Sequence, residues 1–223
     1  MQEELSSVLA LMPDEHRQQV ASRDFWAGHL HGQEVVAVLS RIGKVAAATT
    51  ATVLIERFKV ERIVFTGVAG GLAPGVEVGH VVIADRFLQH DLDASPIFPK
   101  YEVPLYGTSH FTTDRALTDR LAAAARRALP GVRLHRGLVV SGDRFVSTTA
   151  ESRALQVALP DALAVEMEGA AIAQVCHDYG VPFAAVRTVS DRADDAAHGD
   201  FLTFIRDVAS RHSAAIVEAL LAT

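Results

Sequence analysis

The feature that most constrains the fold of this chain is its alternation of short apolar segments with helical patterns. Continuous apolar runs are typical of strands covered on both faces, so the pattern predicts an α/β fold with a central mixed β-sheet flanked by helices. A length of 223 residues suits a single domain, residues 1–223, of this class. The strand candidates are Arg62–Thr66, Val81–Ala84, Gly137–Ser141, Ala162–Glu166 and Phe183–Val189.

Helices and a hairpin are predicted from chain breakers and apolar spacing. The helix candidates are Lys44 to Phe58, Asp114 to Leu129, Glu168 to Tyr179, and about Phe201 to Leu221. Two apolar runs, Phe25–Leu30 and Glu34–Leu39, flank His31-Gly32 and predict a β-hairpin. The segment from about Gln89 to Phe111 is long, irregular and rich in proline, which is typical of a functional or interfacial loop.

Composition excludes several classes of partner. The 21 Lys and Arg residues against 27 Asp and Glu residues give a net charge of −6, which disfavours nucleic-acid binding. The single cysteine, Cys176, excludes an internal disulfide and a multi-cysteine zinc site, and the histidines give no metal-ligand spacing. The sequence contains neither an apolar run of membrane-spanning length nor a basic, apolar leader. We therefore expect a cytoplasmic protein with no membrane partner.

Several predicted strands end in chemically useful residues, and such ends converge on one pocket in α/β sheets. The run Gly67-Val68-Ala69-Gly70-Gly71 allows a flat ligand to approach the backbone, or alternatively is a turn that needs positive φ. The other strand ends are Ser141-Gly142-Asp143, Glu166-Met167-Glu168 and Ser190-Asp191.

Three carboxylates in these segments are candidates for chemistry. Glu166 and Glu168 lie at a predicted strand-to-helix junction among apolar residues. A carboxylate at this place can accept hydrogen bonds from the two hydroxyls of a vicinal diol, or alternatively interact favourably with the helix N-terminus. The residues favour a structural role for Glu166 and a functional role for Glu168. Asp191 follows a buried strand and is a candidate general acid with a raised pKa, or alternatively a helix cap.

Taken in order, five motifs resemble the bacterial 5′-methylthioadenosine/S-adenosylhomocysteine nucleosidase family, within the purine nucleoside phosphorylase and hydrolase superfamily. The resemblance extends over nearly the whole chain and implies a nucleoside phosphorylase-like fold. The motifs begin with Ser40-Arg41-Ile42-Gly43-Lys44-Val45-Ala46-Ala47 and Gly67-Val68-Ala69-Gly70-Gly71-Leu72. They continue with Ser141-Gly142-Asp143-Arg144-Phe145, Val165-Glu166-Met167-Glu168 and Ser190-Asp191-Arg192-Ala193-Asp194.

This resemblance implies hydrolysis of the N-glycosidic bond of methylthioadenosine and S-adenosylhomocysteine, which releases adenine and a 5′-thio-substituted ribose. Asp191 would protonate N7 of adenine, Glu168 would hold the 2′- and 3′-hydroxyls, and Glu4 would activate water. Two carboxylates on opposite sides of the bond follow the logic of an inverting glycosidase.

The resemblance also implies the remaining binding residues. Phe145 would stack on adenine and Val146 would offer it backbone hydrogen bonds, while Arg187 and Ser190 would support Asp191. Further expected substrate contacts are Ile42, Val68, Ala69, Gly70, Glu166, Met167 and Phe201. A homodimer is expected, and neither a cofactor nor a metal is implied.

The chain departs from the family pattern in three places. It lacks the apolar, glycine-containing strand that precedes the family's Met-Glu-Glu run, and Val68 stands where a Ser or Thr is usual. The segment Asp93–Tyr106, which helps to cover the alkylthio group in the family, is rich in proline. The rival interpretations are a purine nucleoside phosphorylase, another purine nucleosidase of the same fold, and a nucleoside-binding protein that has lost catalysis.

Overall fold

The structure is a computed structural model that describes residues 1–194, 204 and 208–222. Within these residues, nine strands form two sheets. The three-stranded antiparallel sheet contains β1 (His16–Val20), β2 (Arg23–Leu30) and β3 (Gln33–Val38). The six-stranded mixed sheet contains β4 (Ile63–Gly71), β5 (Val81–Gln89), β6 (His110–Thr112), β7 (Leu134–Ser141), β8 (Ala162–Glu166) and β9 (Phe183–Asp191).

Six helices surround these sheets within the described part of the chain. They are α1 (Gln2–Leu9), α2 (Lys44–Phe58), α3 (Arg115–Ala128), α4 (Thr149–Ala158), α5 (Gly169–Tyr179) and α6 (Ser210–Leu221). The predicted α2, α3 and α5 are confirmed, and the Asp114 carboxylate caps α3 by accepting from the Leu117 N–H at 2.7 Å. None of the helices described is both long and apolar enough to cross a bilayer.

The larger sheet curls until two of its strands meet. Its order is β6-β5-β7-β8-β4-β9, and β9 also pairs with β5 in antiparallel orientation. The pairings β5–β7, β7–β8 and β4–β9 are parallel, whereas β4 joins β8 in antiparallel register at Gly70 and Gly71. The carboxyl ends of β4 and β9 therefore lie beside each other, with Gly70 paired to Asp191.

Alternate residues of the central strands pack into two different cores, which explains their continuous apolar sequences. Val82 and Ala84 of β5 pack in one cluster with residues of α2 and α5. Val81 and Ile83 pack in another cluster with residues of α3 and α6. Helices thus cover both faces of the sheet, as the sequence predicts.

The amino-terminal part of the chain differs most from the expectation. The predicted hairpin is confirmed as β2 and β3, with positive φ at His31 and Gly32 in the two-residue turn, but it belongs to the separate three-stranded sheet. Neither α1 nor β1 was predicted, because α1 contains three polar residues in its first turn and β1 is almost entirely polar. The predicted irregular segment corresponds to residues 90–109, between β5 and β6.

Candidate active site

A cavity of about 1520 Å³ brings together residues from most of the segments singled out in the sequence. It is lined by parts of α1, β3, α2 and β4, and by the ends of β8 and β9. The candidate site residues on its walls are Glu4, Ile42, Val68, Ala69, Gly70, Phe145, Glu166, Met167, Glu168, Arg187, Ser190 and Asp191.

Two further candidates, Val146 and Phe201, are not among these wall residues. Val146 lines a small adjacent cavity of about 20 Å³, which shares Gly70, Phe145 and Asp191 with the larger one. Phe201 lies outside the described residues. The general acid candidate and the predicted stacking residue are therefore neighbours on the same small cavity.

The glycines of β4 are required by close packing rather than by backbone conformation. The interpretation of this run as a turn with positive φ is wrong, because β4 continues to Gly71 and neither Gly67 nor Gly70 has positive φ. A Cβ at Gly67 would overlap Nη1 of Arg187, and a Cβ at Gly70 would lie 2.9 Å from Oδ1 of Asp191. The glycines therefore leave room for the charged side chains of β9.

Glu166 and Arg187 form a buried ion pair, each with 2% of its side chain exposed. Glu166 also accepts hydrogen bonds from the Ser141 hydroxyl and from the backbone N–H groups of Glu168 and Gly169. The Arg187 guanidinium lies 3.7 Å from the centre of the Phe65 ring. Protein groups thus engage both Glu166 oxygens, which fits the structural role favoured from the residues, and Glu166 also lines the cavity.

Glu168 has a different environment, although it is only two residues away. It occupies the N-cap position of α5, but its side chain does not cap that helix. The side chain is 14% exposed, and Oε1 accepts a 3.0 Å hydrogen bond from the Gly43 N–H. Its Oε2 lies 3.8 Å from Nη2 of Arg187. Burial and the neighbouring Glu166 carboxylate raise the pKa of Glu168 to about 7, although Arg187 and the Gly43 N–H act in the opposite direction. This carboxylate faces the cavity with fewer protein partners than Glu166.

Asp191 ends β9 and is 1% exposed. Its Oδ2 accepts a 2.8 Å hydrogen bond from the Ser190 hydroxyl, and its Oδ1 accepts one of the same length from the Ala193 N–H. The Ser190 hydroxyl also lies 3.4 Å from the carbonyl oxygen of Ala69 on β4. These contacts fix the carboxylate at the point where β4 and β9 end together.

Glu4 reaches the cavity from α1 and is 5% exposed. Its Oε1 accepts a 2.7 Å hydrogen bond from the Ser213 hydroxyl of α6, which in turn accepts one of 2.7 Å from the Thr66 hydroxyl of β4. The Met1 ammonium group donates to Oε2 at 2.6 Å. A relay of two hydroxyl groups therefore links Glu4 to the strand that carries Gly67 and Gly70.

Ser213 has no place among the sequence motifs, and its contact with Glu4 was not predicted. The position nevertheless carries a sequence signal, because Ser213 shares the helical spacing of the buried Ile216 and Leu220. A hydroxyl on the core-facing side of a helix requires a hydrogen-bond partner. That partner is a carboxylate 209 residues away in the chain.

Apolar and aromatic groups complete the walls. Ile42 is 66% exposed and Phe145 is 40% exposed, and both line the cavity together with Met167. Within residues 1–194, 204 and 208–222, no cluster of three His, Cys, Asp or Glu side chains is arranged to hold a metal ion. The described site thus combines carboxylates at fixed positions with surfaces suited to a flat base and an apolar substituent.

Comparison with known proteins gives consistent results over the whole chain. Residues 1–222 match the family model described as the phosphorylase superfamily. The structure resembles the 5′-methylthioadenosine/S-adenosylhomocysteine nucleosidase of Neisseria meningitidis in complex with methylthio-immucillin-A, with a TM-score of 0.94 and 35% identity. That match covers 100% of this chain and 95% of the other.

Two further solved structures are similar. The S-adenosylhomocysteine nucleosidase of Streptococcus pyogenes, in complex with 5-methylthiotubericidin, is 36% identical with a TM-score of 0.92, covering 100% of this chain and 93% of its own. The futalosine hydrolase of Helicobacter pylori is 31% identical with a TM-score of 0.91, covering 99% of this chain and 93% of its own.

Proposed function

Because the chain belongs to the phosphorylase superfamily, we propose that it hydrolyses the N-glycosidic bond of 5′-methylthioadenosine and S-adenosylhomocysteine. The predicted enzyme class, a hydrolase acting on N-glycosyl bonds, is confirmed by the similarity to nucleosidases over the whole chain. The observation that carries the proposed substrate class is the convergence of Asp191, Glu168 and Glu4 on one cavity with Phe145 and Ile42.

Asp191 is the general acid of the proposed reaction. Its carboxyl group lies beside the small cavity that Phe145 also lines, so a purine stacked on Phe145 would place its N7 edge near Asp191. Protonation at N7 lets adenine leave as a neutral base, while the ribose develops positive charge. Ser190 and the Ala193 N–H orient the carboxyl group for this transfer.

Glu168 and Glu4 act on the ribose side of the same bond. Glu168 presents its carboxylate oxygens to the 2′- and 3′-hydroxyls, which are donors that match an acceptor-only group. Glu4 activates the attacking water and is held in place by Ser213. Negative charge around the sugar also favours the cationic, oxocarbenium-like transition state.

Charge favours water over phosphate as the nucleophile. Among the candidate site residues on the cavity wall, four are carboxylates, namely Glu4, Glu166, Glu168 and Asp191, and one, Arg187, is a cation. The buried Arg187 guanidinium is already paired with Glu166 and lies 3.8 Å from Glu168. A phosphate dianion entering beside Glu4 would be repelled by this carboxylate in a partly desolvated cavity, and the Met1 ammonium group beside it is already paired with Oε2 of Glu4.

The proposal extends to the assembly and the compartment. We expect a homodimer that acts in the cytoplasm. Large apolar side chains at the surface support an interface, since Val45, Ile97 and Leu105 are 79%, 81% and 91% exposed. Light scattering of the purified protein should give the mass of two chains, and the mass of one chain would refute this part of the proposal.

A substrate panel tests the proposed activity. Purified protein is incubated separately with methylthioadenosine, S-adenosylhomocysteine and futalosine, and the released base is measured by chromatography. We expect adenine from the first two and a much lower kcat/KM for futalosine. A higher kcat/KM for futalosine than for the other two compounds would refute the proposed substrate class. Tight binding of methylthioadenosine without release of adenine would instead indicate a nucleoside-binding protein.

The role of Glu168 is tested with a substrate that lacks the diol. Glu168→Gln keeps the size of the side chain but removes the charge that strengthens hydrogen bonds from ribose. We expect kcat/KM to fall about tenfold or more for methylthioadenosine, and much less for its 2′,3′-dideoxy analogue. Glu77→Gln, at an exposed position that does not line the cavity, is the control and should leave kcat/KM unchanged for both substrates. Equal losses on the two substrates would mean that Glu168 does not bind the diol.

A further inference from the structure

A network of hydrogen bonds outside the cavity wall joins three loops behind Glu168. Asp91 follows β5, Asp143 follows β7, and Lys44 begins α2. The Lys44 N–H donates to Oδ1 of Asp143 at 2.7 Å, and the Asp143 N–H donates to Oδ2 of Asp91 at 2.8 Å. The ammonium group of Lys44 donates to Oδ1 of Asp91 at 2.6 Å. The three residues therefore form a closed ring of contacts.

The ring caps α2 from a distant part of the chain. Gly43 occupies the cap position but has no side chain, so the first N–H groups of α2 need other acceptors. Asp143 supplies one for Lys44, and Glu168 supplies one for Gly43 at 3.0 Å. Two carboxylates from different loops thus bind consecutive N–H groups of the same backbone turn.

The backbone conformation at Gly43 is one that only glycine adopts readily, so the turn before α2 is conformationally restricted. Its φ of 95° and ψ of 157° lie in a region that residues with a side chain avoid. A Cβ at this position would also lie 3.1 Å from Oδ1 of Asp143. The direction of the Gly43 N–H is therefore coupled to the position of the Asp143 carboxylate.

Asp91 and Lys44 secure Asp143 in turn. The Lys44 side chain is 17% exposed and its ammonium also donates to Oε1 of Gln89 at 3.1 Å. Burial acts to raise the pKa of Asp91, but the hydrogen bonds from Lys44 and Asp143 outweigh it, so this pKa lies below its ordinary value. Asp91 is therefore a carboxylate at neutral pH and pairs with Lys44 as an ion.

We propose that Asp143, held by Lys44 and Asp91, is a positioning residue that fixes the Gly43 N–H on Glu168 and so sets the geometry with which Glu168 binds the ribose diol. The inference rests on the proposed function, because it requires Glu168 to contact the diol. Asp143 itself contacts the α2 turn and acts on substrate only through it. Its loss should therefore weaken recognition of the diol without removing the catalytic carboxylates.

The test compares Asp143→Ala with Asp143→Asn on methylthioadenosine and on its 2′,3′-dideoxy analogue. Asn retains an acceptor oxygen for the Lys44 N–H, whereas Ala does not. We expect the Ala variant to lose roughly tenfold in kcat/KM for methylthioadenosine, mainly through KM, and less than about twofold for the dideoxy analogue. The Asn variant should recover to within about threefold of the wild type on methylthioadenosine. Asp161→Ala, at an exposed aspartate that pairs with Arg86, is the control and should change neither value.

Each outcome separates this inference from the proposed function. Equal losses on both substrates for Asp143→Ala, with diol-dependent losses for Glu168→Gln, would overturn the positioning role alone. Equal losses for both variants would overturn the diol assignment of Glu168 and the inference with it. Should Asp143→Ala fail to fold, Lys44→Met breaks the same ring but keeps the backbone N–H. Lys44→Met should then lose less kcat/KM than is expected of Asp143→Ala, and the loss should again be larger for methylthioadenosine than for the dideoxy analogue. An equal loss on both substrates would refute the proposal.

Discussion

Glu168 should make the folded protein less stable as pH rises, because its pKa is higher in the folded state than in the unfolded chain. Burial and the Glu166 carboxylate raise this pKa from 4.5 to about 7. A carboxyl group with a raised pKa contributes stability that is fully present below pH 4.5 and is lost as pH rises through 7. Glu168→Gln cannot ionise, so it escapes this loss while keeping an oxygen that can accept from the Gly43 N–H.

The magnitude follows from the size of the shift. Each pKa unit is worth about 1.4 kcal/mol. The free energy of unfolding of the variant minus that of the wild type should therefore be about 3 kcal/mol larger at high pH than at low pH. Most of the gain falls between about pH 5 and pH 8. For a domain of this size, that corresponds to roughly 6–12 °C in the difference between the two melting temperatures.

Circular dichroism melts of the two proteins at unit intervals from about pH 5 to pH 8 provide the assay. The melting temperature of Glu168→Gln minus that of the wild type should increase steadily with pH, even though the variant loses activity. Glu77→Gln, at an exposed position, is the control for changes in melting temperature with pH that do not depend on Glu168. A constant or falling difference for Glu168→Gln would refute the conclusion that the Glu168 carboxylate is costly to ionise in the free enzyme.

Three other variants have distinct expected effects. Asp191→Asn should bind adenine with near-normal affinity by calorimetry but lose about 10²–10⁴-fold in kcat, and near-normal turnover would remove Asp191 from the mechanism. Glu4→Gln should lose turnover to a similar extent and show no recovery with added phosphate, since recovery would place a phosphate site beside Glu4. Gly67→Ala should lower the free energy of unfolding in urea by about 1–3 kcal/mol, because its Cβ overlaps the buried Arg187; unchanged stability would contradict the steric role of this glycine.

Local sequence rules were sufficient for much of the fold. Lys44–Phe58 is confirmed as a helix with the predicted bounds, since it lacks glycine and proline and follows Gly43. β8 has its predicted bounds, whereas β4 and β9 continue beyond their predicted ends at Thr66 and Val189, because the prediction stopped at the glycine and polar residues that follow. Backbone pairing with neighbouring strands extends β4 and β9 through these residues, and that pairing depends on distant parts of the chain.

The site shows the same division between local and distant information. The expectation that the strand ends converge on one pocket agrees with the shared cavity of Asp191, Glu168 and Phe145. Strand ends and the turns after them meet at one edge of the sheet. The contact between Ser213 and Glu4 could not be predicted, since the two residues lie at opposite ends of the chain. The closure of the sheet by β5 and β9 was likewise unpredictable, because it requires an antiparallel pairing between strands about 100 residues apart.

The identity of the sugar product tests the central claim most directly. Wild-type protein is given methylthioadenosine in the presence and in the absence of phosphate, and the products are identified by mass spectrometry. Hydrolysis predicts equal rates of adenine release in both conditions and free methylthioribose as the sole sugar product. Accelerated release with phosphate and the appearance of methylthioribose 1-phosphate would contradict it.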